Sequence, residues 1–295
     1  MRNILITGAT GMLGGTLAYF FSSDFNVFGT GSSEYSEAKF AYKRFDLSSS
    51  NYDELIKWSN PDVVVHCGAL TNGNFCSNNP KEAFDINGIS LQKFLQSTKE
   101  DVEIIFISTD AVFPSSLHLA KESDCVFPEN VYGKSKELGE FFLKTSNNRK
   151  YTIIRTTIVG LNVNKGKEGF VEWILNTAKS NEELGLFSDV LFSPISIWDL
   201  AKEINFLINS RNINSETLHI GGEICTKYEF GKRLLENLNI STEQLVESSI
   251  LTFSNRAKRC TDQSLDSNYY QTKYKRVLPN LDQTINTIKQ YYYYE

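Results

Sequence analysis

Tyr132 and Lys136 have the residue types and the spacing of a proton-transfer pair. They lie four positions apart in a stretch that predicts a helix, so both side chains would leave the same face about one turn apart. An ammonium group beside a phenol favours the phenolate and lowers the tyrosine pKa from about 10, which would let Tyr132 exchange a proton with a carbonyl oxygen. Such pairs also occur on solvated helix faces, so the surrounding elements decide what this pair does.

The stretch before this helix supplies hydroxyl groups. Residues 102–110 predict a buried strand that ends in Ser108, Thr109 and Asp110. In an open α/β sheet, ligands bind at the carboxyl ends of the strands. We therefore expect the hydroxyl group of Thr109 or Ser108 to hold the same carbonyl oxygen that Tyr132 protonates.

A glycine-rich turn near the start of the chain predicts a dinucleotide site. Gly8, Gly11 and Gly14 follow a short apolar strand and precede a helix, with the spacing GxxGxxG. The first glycine suits a tight turn, the second lets the backbone approach a pyrophosphate, and the third lets the helix pack on the strand. The N-terminus of the helix would then offer free N–H groups to the phosphates.

Ser32 and Ser33 follow the second predicted strand, where an NAD site usually carries Asp or Glu for the ribose 2′-hydroxyl. Serine hydroxyl groups could bind a 2′-phosphate, which favours NADPH, although no arginine stands beside them in the sequence and Glu34 follows directly. NADH is the alternative cofactor. Asp46 is a candidate partner of the adenine amino group, with a surface turn as the other interpretation.

The apolar stretch 61–69 predicts a buried parallel strand that ends in the small residues Cys67, Gly68 and Ala69, which leave room for a ligand. His66 within it is expected to be a packed core residue rather than a base. The residues expected to contact the cofactor are Gly8, Thr10, Gly11, Met12, Leu13, Gly14, Ser32, Ser33, Asp46, Leu47, Cys67, Gly68, Ala69, Tyr132 and Lys136.

The order of elements predicts the fold class. Strands and helices alternate over residues 1–160, which is typical of a Rossmann fold, an α/β architecture with a doubly wound parallel sheet that would bind NAD(P). The alternation is lost over residues 161–295, which predict a smaller C-terminal α/β domain for the substrate. A part of that half near 190–222 is expected to return to the Rossmann domain.

Composition excludes several other classes of protein. The 295 residues carry a formal net charge of −5, which argues against nucleic-acid or anionic-membrane partners. Five cysteines form no CxxC pair, which suits free thiols in a reducing cytoplasm and makes a zinc site improbable. No stretch offers the ~20 apolar residues that span a bilayer. The sequence therefore predicts a soluble cytoplasmic protein without a recognisable metal cluster.

Four motifs together resemble an extended short-chain dehydrogenase/reductase, and within that superfamily the dTDP-4-dehydrorhamnose reductase family. They are TGATGMLG at 7–14, HCGA at 66–69, STDAVF at 108–113 and YGKSK at 132–136. The resemblance implies reduction of the 4-keto group of a nucleotide-activated deoxysugar by NAD(P)H. It implies a catalytic set in which Tyr132 protonates the oxygen, Lys136 tunes Tyr132 and grips the nicotinamide ribose, and Thr109 orients the carbonyl.

The resemblance also identifies expected substrate contacts, which are Ser108, Asp110, Ala111 and Ile158. At the last two positions the family usually has a tyrosine and a tryptophan, so the sugar pocket of this chain is expected to differ. A related keto-sugar is as good a candidate as the rhamnose precursor. Reductases of this type are often dimers, but no residue pattern marks an interface.

Three alternatives share parts of this pattern. A sugar-nucleotide epimerase uses the same tyrosine, lysine and glycine turn. A dehydratase would need an acid after Thr109 and Asp110, where this chain has Ala111. The regulatory subunit of methionine adenosyltransferase resembles the same branch, but usually lacks the tyrosine or lysine that this chain keeps.

Overall fold

The computed structural model of the protein describes residues 1–35, 38–49, 51–163, 167–180, 182–252 and 260–293. The strands are β1 (Asn3–Thr7), β2 (Asn26–Gly31), β3 (Ala41–Arg44), β4 (Val63–His66), β5 (Glu103–Thr109), β6 (Tyr151–Val159), β7 (Leu184–Phe187), β8 (Leu191–Phe192), β9 (Pro194–Ser196), β10 (Glu216–His219), β11 (Cys225–Thr226), β12 (Leu245–Ser248) and β13 (Asp262–Gln263). The α-helices are α1 (Met12–Phe21), α2 (Tyr52–Ser59), α3 (Gly73–Asn78), α4 (Pro80–Phe84), α5 (Ser90–Ser97), α6 (Val131–Lys144), α7 (Phe170–Lys179), α8 (Ile197–Asn209), α9 (Lys227–Asn237), α10 (Asn268–Tyr274) and α11 (Leu281–Tyr292). A π-helical turn spans Asp85–Ile89, and short 3₁₀ turns span Asp110–Val112 and Ile250–Thr252.

Eight strands form one parallel sheet. Seven of them follow the order β10-β6-β5-β4-β1-β2-β3, and β9 also pairs with β6. The chain winds outward from β1 to β3 and then resumes at β4 on the other side of β1. This confirms the predicted doubly wound Rossmann sheet, and the reversal between β1 and β4 is where such sheets bind ligands.

The two faces of the sheet carry separate hydrophobic cores, because successive side chains of a strand point to opposite faces. In β1, Ile4 and Ile6 belong to the core that packs on α1 and α8, whereas Leu5 belongs to the core on the other face. All three side chains are fully buried. Covering both faces explains why the central strands are continuous apolar runs rather than alternating ones.

The second half of the chain contributes to the large sheet and to two small ones. β9 and β10 pair with β6, and α8 packs on α1. A three-stranded sheet has the order β11-β8-β13, and β12 pairs with β7. Within the described residues, no helix combines the length and the apolar character needed to cross a bilayer.

One strand end differs from the sequence-based expectation. The expected strand at 61–69 ends at His66, because the Gly68 amide donates to the Thr7 hydroxyl, 2.9 Å away, instead of extending the ladder. The π turn that contains Asn87 separates α4 from α5.

Candidate active site

A cavity of about 750 Å³ opens at the carboxyl edge of the large sheet, a size within the range of small-molecule sites. It is lined by the ends of β1, β2, β4, β5 and β6, by the glycine-rich turn and by one face of α6. The predicted residues that line it are Gly8, Thr10, Gly11, Met12, Leu13, Gly14, Ser32, Asp46, Leu47, Cys67, Gly68, Ala69, Ser108, Thr109, Asp110, Tyr132, Lys136 and Ile158. Ser33 and Ala111 lie outside this lining.

The glycine-rich turn has the backbone geometry that its spacing predicts. Gly8 adopts a φ of 67°, in the left-handed region that favours glycine, and a Cβ there would lie 2.8 Å from Gly68 Cα. A Cβ on Gly14 would lie 2.3 Å from the Gly8 carbonyl oxygen, so α1 can approach β1 only with glycine at this position. α1 begins at Met12 without an acidic residue in its first turn. The N–H groups at the start of the helix therefore have no acceptor within it, and the first turn brings no acidic side chain of its own.

Helix α6 is held close to the end of β5. Asn130 caps its N-terminus by accepting a hydrogen bond from the Gly133 amide, at 2.8 Å. A Cβ on Gly133 would lie only 2.2 Å from the Ala111 carbonyl oxygen. This close approach brings Tyr132 to Thr109, with which it forms a hydrogen bond.

The pKa of Tyr132 lies well above its usual range. Burial is the main cause, the neighbouring Asp110 raises the pKa further, and the Thr109 hydrogen bond opposes the shift. The expected lowering of the pKa by Lys136 is therefore not what the structure shows. A raised pKa keeps the phenol protonated at neutral pH, so Tyr132 holds a proton that it can donate.

Lys136 is almost fully buried, at 2% exposure, with its Nζ 4.1 Å from the centre of the Phe106 ring. Burial lowers its pKa to about 7, against smaller opposing effects of Cys67 and Glu140. Among the described residues, no carboxylate forms an ion pair with Lys136. Lys136 lines the same cavity as the glycine-rich turn.

Asn87, at the centre of the π turn, ties the end of β4 to α6. Its amide accepts from the Leu70 N–H at 2.7 Å and donates to the Leu70 carbonyl and the Ser135 hydroxyl, both at 2.9 Å. Ser135 lies next to Lys136 on α6. The side chain is fully buried and all these bonds are internal, so Asn87 positions α6 against the cavity.

His66 is a core residue, as expected. Its Nδ1 lies 3.0 Å from the Thr7 hydroxyl and its Nε2 lies 3.2 Å from the Ser90 hydroxyl. Burial lowers its pKa to about 3, so the ring stays neutral. It does not line the cavity.

Three of the expected substrate contacts are engaged by the protein itself. The Ser108 hydroxyl donates to Glu140 at 2.7 Å. The buried Asp110 carboxylate accepts hydrogen bonds from Thr109, at 2.8 Å, and from Thr157. Burial raises the Asp110 pKa. Ala111 is buried and turns its carbonyl oxygen towards Gly133, so its side chain does not reach the cavity, whereas Ile158 does.

Several lining residues have no signal in the sequence. Thr157 lies near the end of β6, and Asn162, Lys167, Glu168, Gly169 and Phe170 follow that strand. Lys167 Nζ donates to the Thr10 carbonyl oxygen at 2.8 Å, and a Cβ on Gly169 would lie 2.6 Å from Met12 Cε. Lys167 and Gly169 thus contact the glycine-rich turn, although they are about 150 positions away from it in the sequence. Only the tertiary fold reveals this proximity, because no spacing or motif links the two segments.

A family model described as the RmlD substrate binding domain matches residues 1–293 of the chain. The spore coat polysaccharide biosynthesis protein SpsK of Bacillus subtilis is 34% identical over 62% of this chain and 63% of that protein. A dTDP-4-dehydrorhamnose reductase of Sinorhizobium fredii is 31% identical over 60% of each chain. The aligned segments thus span about three-fifths of the length of these two relatives.

The chain is also similar to a solved reductase structure and to a regulatory subunit of methionine adenosyltransferase. The crystal structure of dTDP-4-dehydrorhamnose reductase from Bacillus anthracis in complex with NADP superposes with a TM-score of 0.82. It is 24% identical and covers 97% of this chain and 98% of that chain, which establishes the shared fold. The methionine adenosyltransferase 2 subunit beta of Pongo abelii is 27% identical over 83% of this chain and 74% of that protein.

Proposed function

The chain belongs to the family that the RmlD substrate binding domain model describes, and on this premise we propose that it reduces the 4-keto group of a nucleotide-activated deoxysugar with NADPH. NADH is the alternative reductant. The observation that carries the proposal is that Tyr132, Lys136 and Thr109 line the same cavity as the glycine-rich turn. A proton donor, a cation and a hydroxyl group in one cavity support a reaction there between a dinucleotide and a carbonyl compound.

The residues of the cavity fit a dinucleotide. Gly8 and Gly11 leave the turn without side chains, and the first turn of α1 offers N–H groups and carries no acidic residue. Lys167 adds a cation that is already bonded to the carbonyl oxygen of Thr10. The related reductase of Bacillus anthracis was solved with NADP, which further supports this cofactor.

The side chains have distinct roles in this proposal. Bound NADPH supplies a hydride to the carbonyl carbon. Tyr132, protonated because burial raises its pKa, donates its phenolic proton to the carbonyl oxygen. Thr109 bonds Tyr132 and orients the same oxygen. Lys136 lines the same cavity and is the donor for the ribose hydroxyl groups.

We propose that residues 161–295 mainly bind the sugar nucleotide, while the part near 190–222 belongs with the Rossmann domain. The pairing of β9 and β10 with β6 supports this division. Asn162 and Phe170 of the second half line the cavity, as does Ile158 near the end of β6. The sugar would then bind between these residues and Tyr132. Ser108 and Asp110 line the same pocket, and their side chains are held in place by hydrogen bonds within the protein.

The test is NADPH oxidation, followed by absorbance, with a panel of 4-keto nucleotide sugars. We expect turnover with at least one of them and a loss of about 10²- to 10⁴-fold in kcat for Tyr132→Phe, with NADPH binding unchanged. Tyr269→Phe removes a hydroxyl group from an exposed tyrosine of α10 and serves as the matched control. Wild-type rates from Tyr132→Phe would remove Tyr132 from its proposed role.

Two alternatives give different results in the same assay. A protein that binds NADPH but turns over no sugar would be a non-catalytic regulatory subunit, which the similarity to methionine adenosyltransferase 2 subunit beta keeps open. A protein that retains NAD and interconverts nucleotide sugars without net oxidation would be an epimerase. The presence of both Tyr132 and Lys136 in the cavity favours the reductase over the regulatory subunit.

We also propose a homodimer. Phe127 and Phe141 are 72% and 56% exposed and line one groove on the outer side of α6, together with Leu138. Lys134 and Glu137 lie in the same groove. Across a two-fold axis, Lys134 would face Glu137 of a second copy, which makes the groove self-complementary in charge. Sedimentation should give a dimer for the wild type and a monomer for Phe141→Glu; a monomeric wild type would contradict the proposal.

We further propose that the protein works in the cytoplasm. Cys67, Cys76, Cys125, Cys225 and Cys260 are all free thiols. Free cysteines persist where thiols are kept reduced. Fractionation of cells that produce the protein would test this, and recovery in an oxidising compartment would contradict it.

A further inference from the structure

Arg44 lies beside the turn that follows β2, although it is twelve positions from Ser32 in the sequence. β2 and β3 pair in a register that sets Arg44 opposite Gly31. From there Arg44 Nε donates to the Ser32 carbonyl oxygen at 2.9 Å. The structure thus supplies the arginine that the local sequence lacks at this turn.

The turn itself is fixed from the side of β3. The Tyr42 hydroxyl bonds the carbonyl oxygens of Gly31 and Ser33, at 3.2 and 2.5 Å. Ser32 lines the cavity, and within the described residues its hydroxyl group forms no hydrogen bond. The Ser32 side chain, which lines the cavity, and the Arg44 guanidinium, which bonds the Ser32 carbonyl oxygen, thus both belong to the turn beside which the adenosine ribose of a dinucleotide would lie.

Glu34 is the only charged partner that the structure gives Arg44 among the described residues. Arg44 Nη1 lies 3.4 Å from Glu34 Oε1, and the two side chains are 63% and 80% exposed. An ion pair with this geometry and exposure contributes little free energy and exchanges readily. The terminal nitrogens of Arg44 are consequently available to a stronger anion.

We propose that Arg44 and Glu34 together set the choice of reductant. Arg44 and Ser32 bind the 2′-phosphate of NADPH, whereas the Glu34 carboxylate accepts a hydrogen bond from the ribose 2′-hydroxyl group of NADH. The inference rests on the proposed function only in that the cavity binds a nicotinamide dinucleotide. Two oxygens of a phosphate group can accept two parallel hydrogen bonds from a planar guanidinium group, so the phosphate displaces the Glu34 carboxylate from Arg44. The Glu34 carboxylate repels the 2′-phosphate and thereby weakens the attraction that Arg44 exerts on it. We therefore expect the protein to use both cofactors, with a preference for NADPH.

The neighbouring Lys43 provides a matched control. It points to the other side of β3, where its ammonium group pairs with Glu54 of α2. Lys43→Ala removes the same charge one residue away, without touching the turn. Any general effect of net charge on anion binding would appear in both variants, whereas a direct contact would appear only in Arg44→Ala.

The experiment measures binding of two fragments to the full-length protein by calorimetry, so that no turnover is needed. The fragments are adenosine 2′,5′-bisphosphate and adenosine 5′-monophosphate, which differ in the 2′-phosphate. For Arg44→Ala we expect an about ten-fold weaker Kd for the bisphosphate and an unchanged Kd for the monophosphate. For Glu34→Gln we expect tighter binding of the bisphosphate, and for Lys43→Ala no change in either.

Equal losses for both fragments, or no loss in Arg44→Ala, would overturn the inference, and so would a wild type that binds neither fragment. The outcome is separable from that of the proposed function. A protein that discriminates the fragments through Arg44 but reduces no keto-sugar would retain this inference and lose the proposed activity.

Discussion

Arg155 of β6 and Glu140 of α6 form a buried ion pair with two hydrogen bonds, Nε to Oε1 at 2.9 Å and Nη2 to Oε2 at 2.6 Å. Both side chains are 1% exposed. Glu140 also accepts from the Ser108 hydroxyl, and it lies one turn beyond Lys136 on α6. The pair therefore joins the helix that carries Tyr132 and Lys136 to the strand next to β5.

Removing Arg155 should destabilise the protein strongly. Arg155→Met leaves the Glu140 carboxylate buried without its guanidinium partner, which costs about 3–5 kcal/mol in the free energy of unfolding. Arg233→Met is the matched control, because Arg233 pairs with Asp282 at 52% and 69% exposure and should change stability by about 1 kcal/mol or less. Urea unfolding measures both. Equal effects of the two variants would contradict a structural role for the buried pair.

The same pair should make stability depend on acid pH. Burial alone would raise the Glu140 pKa, but the hydrogen bonds and charge of Arg155, with Lys144 and Ser108, lower it to about 2. Because the folded-state pKa lies below the unfolded value of about 4.3, the contribution is complete above that pH. It is lost as the pH falls from about 4 towards 2, and its size is roughly 3 kcal/mol.

Unfolding free energies at a series of pH values would check this. Glu140→Gln should be less stable than the wild type at neutral pH and should show a shallower decline in acid. A parallel decline in both proteins would assign the acid sensitivity to other carboxylates.

The fold was largely predictable because its signals are local. Apolar runs such as Val63–Val65 and the glycine spacing depend only on neighbouring residues, and they correctly predicted the parallel sheet. Strand ends were less predictable, because β4 stops where the Thr7 side chain binds the Gly68 amide. That contact joins residues 61 positions apart.

The candidate site was predictable only in part, for the same reason. Helical periodicity correctly put Tyr132 and Lys136 on one face that lines the cavity. The burial that shifts their pKa values depends on Phe106 and other packed residues of distant strands. Arg44 reaches Ser32 through the register of β2 and β3, which the sequence does not display. Spacing thus indicated which residues share a face, whereas their electrostatics required the packed structure.

A side chain on Gly133 should separate α6 from the end of β5. The added Cβ of Gly133→Ala would lie 2.2 Å from the Ala111 carbonyl oxygen and 2.8 Å from Pro128 Cβ, so the helix must shift. We expect a loss of about 1–3 kcal/mol in stability. The shift also moves Tyr132 from Thr109, and a misplaced catalytic group lowers kcat by about 10²-fold.

Gly73→Ala provides the control for this substitution. Gly73 begins α3, and a Cβ there meets nothing within 4 Å. Alanine in a helix should leave activity unchanged and stability equal or slightly higher. Urea unfolding and keto-sugar reduction would be measured for both variants. If Gly133→Ala behaves like Gly73→Ala, the close approach of α6 is not needed for the site.

NADPH affinity should depend on pH through Lys136. Burial lowers the Lys136 pKa to about 7 in the free protein, and an anionic dinucleotide beside the ammonium group favours its protonated form. Below pH 7 the lysine already carries its proton, so the Kd should be constant. Above pH 7 each binding event must take up a proton, and the Kd should rise by up to about ten-fold per pH unit until the pKa of the complex is reached. Fluorescence titrations from pH 6 to about 9 would measure this. Lys136→Met, which has no titrating group, should bind more weakly at pH 6 and show no such rise, whereas an identical pH dependence in both proteins would assign the titration to a different group.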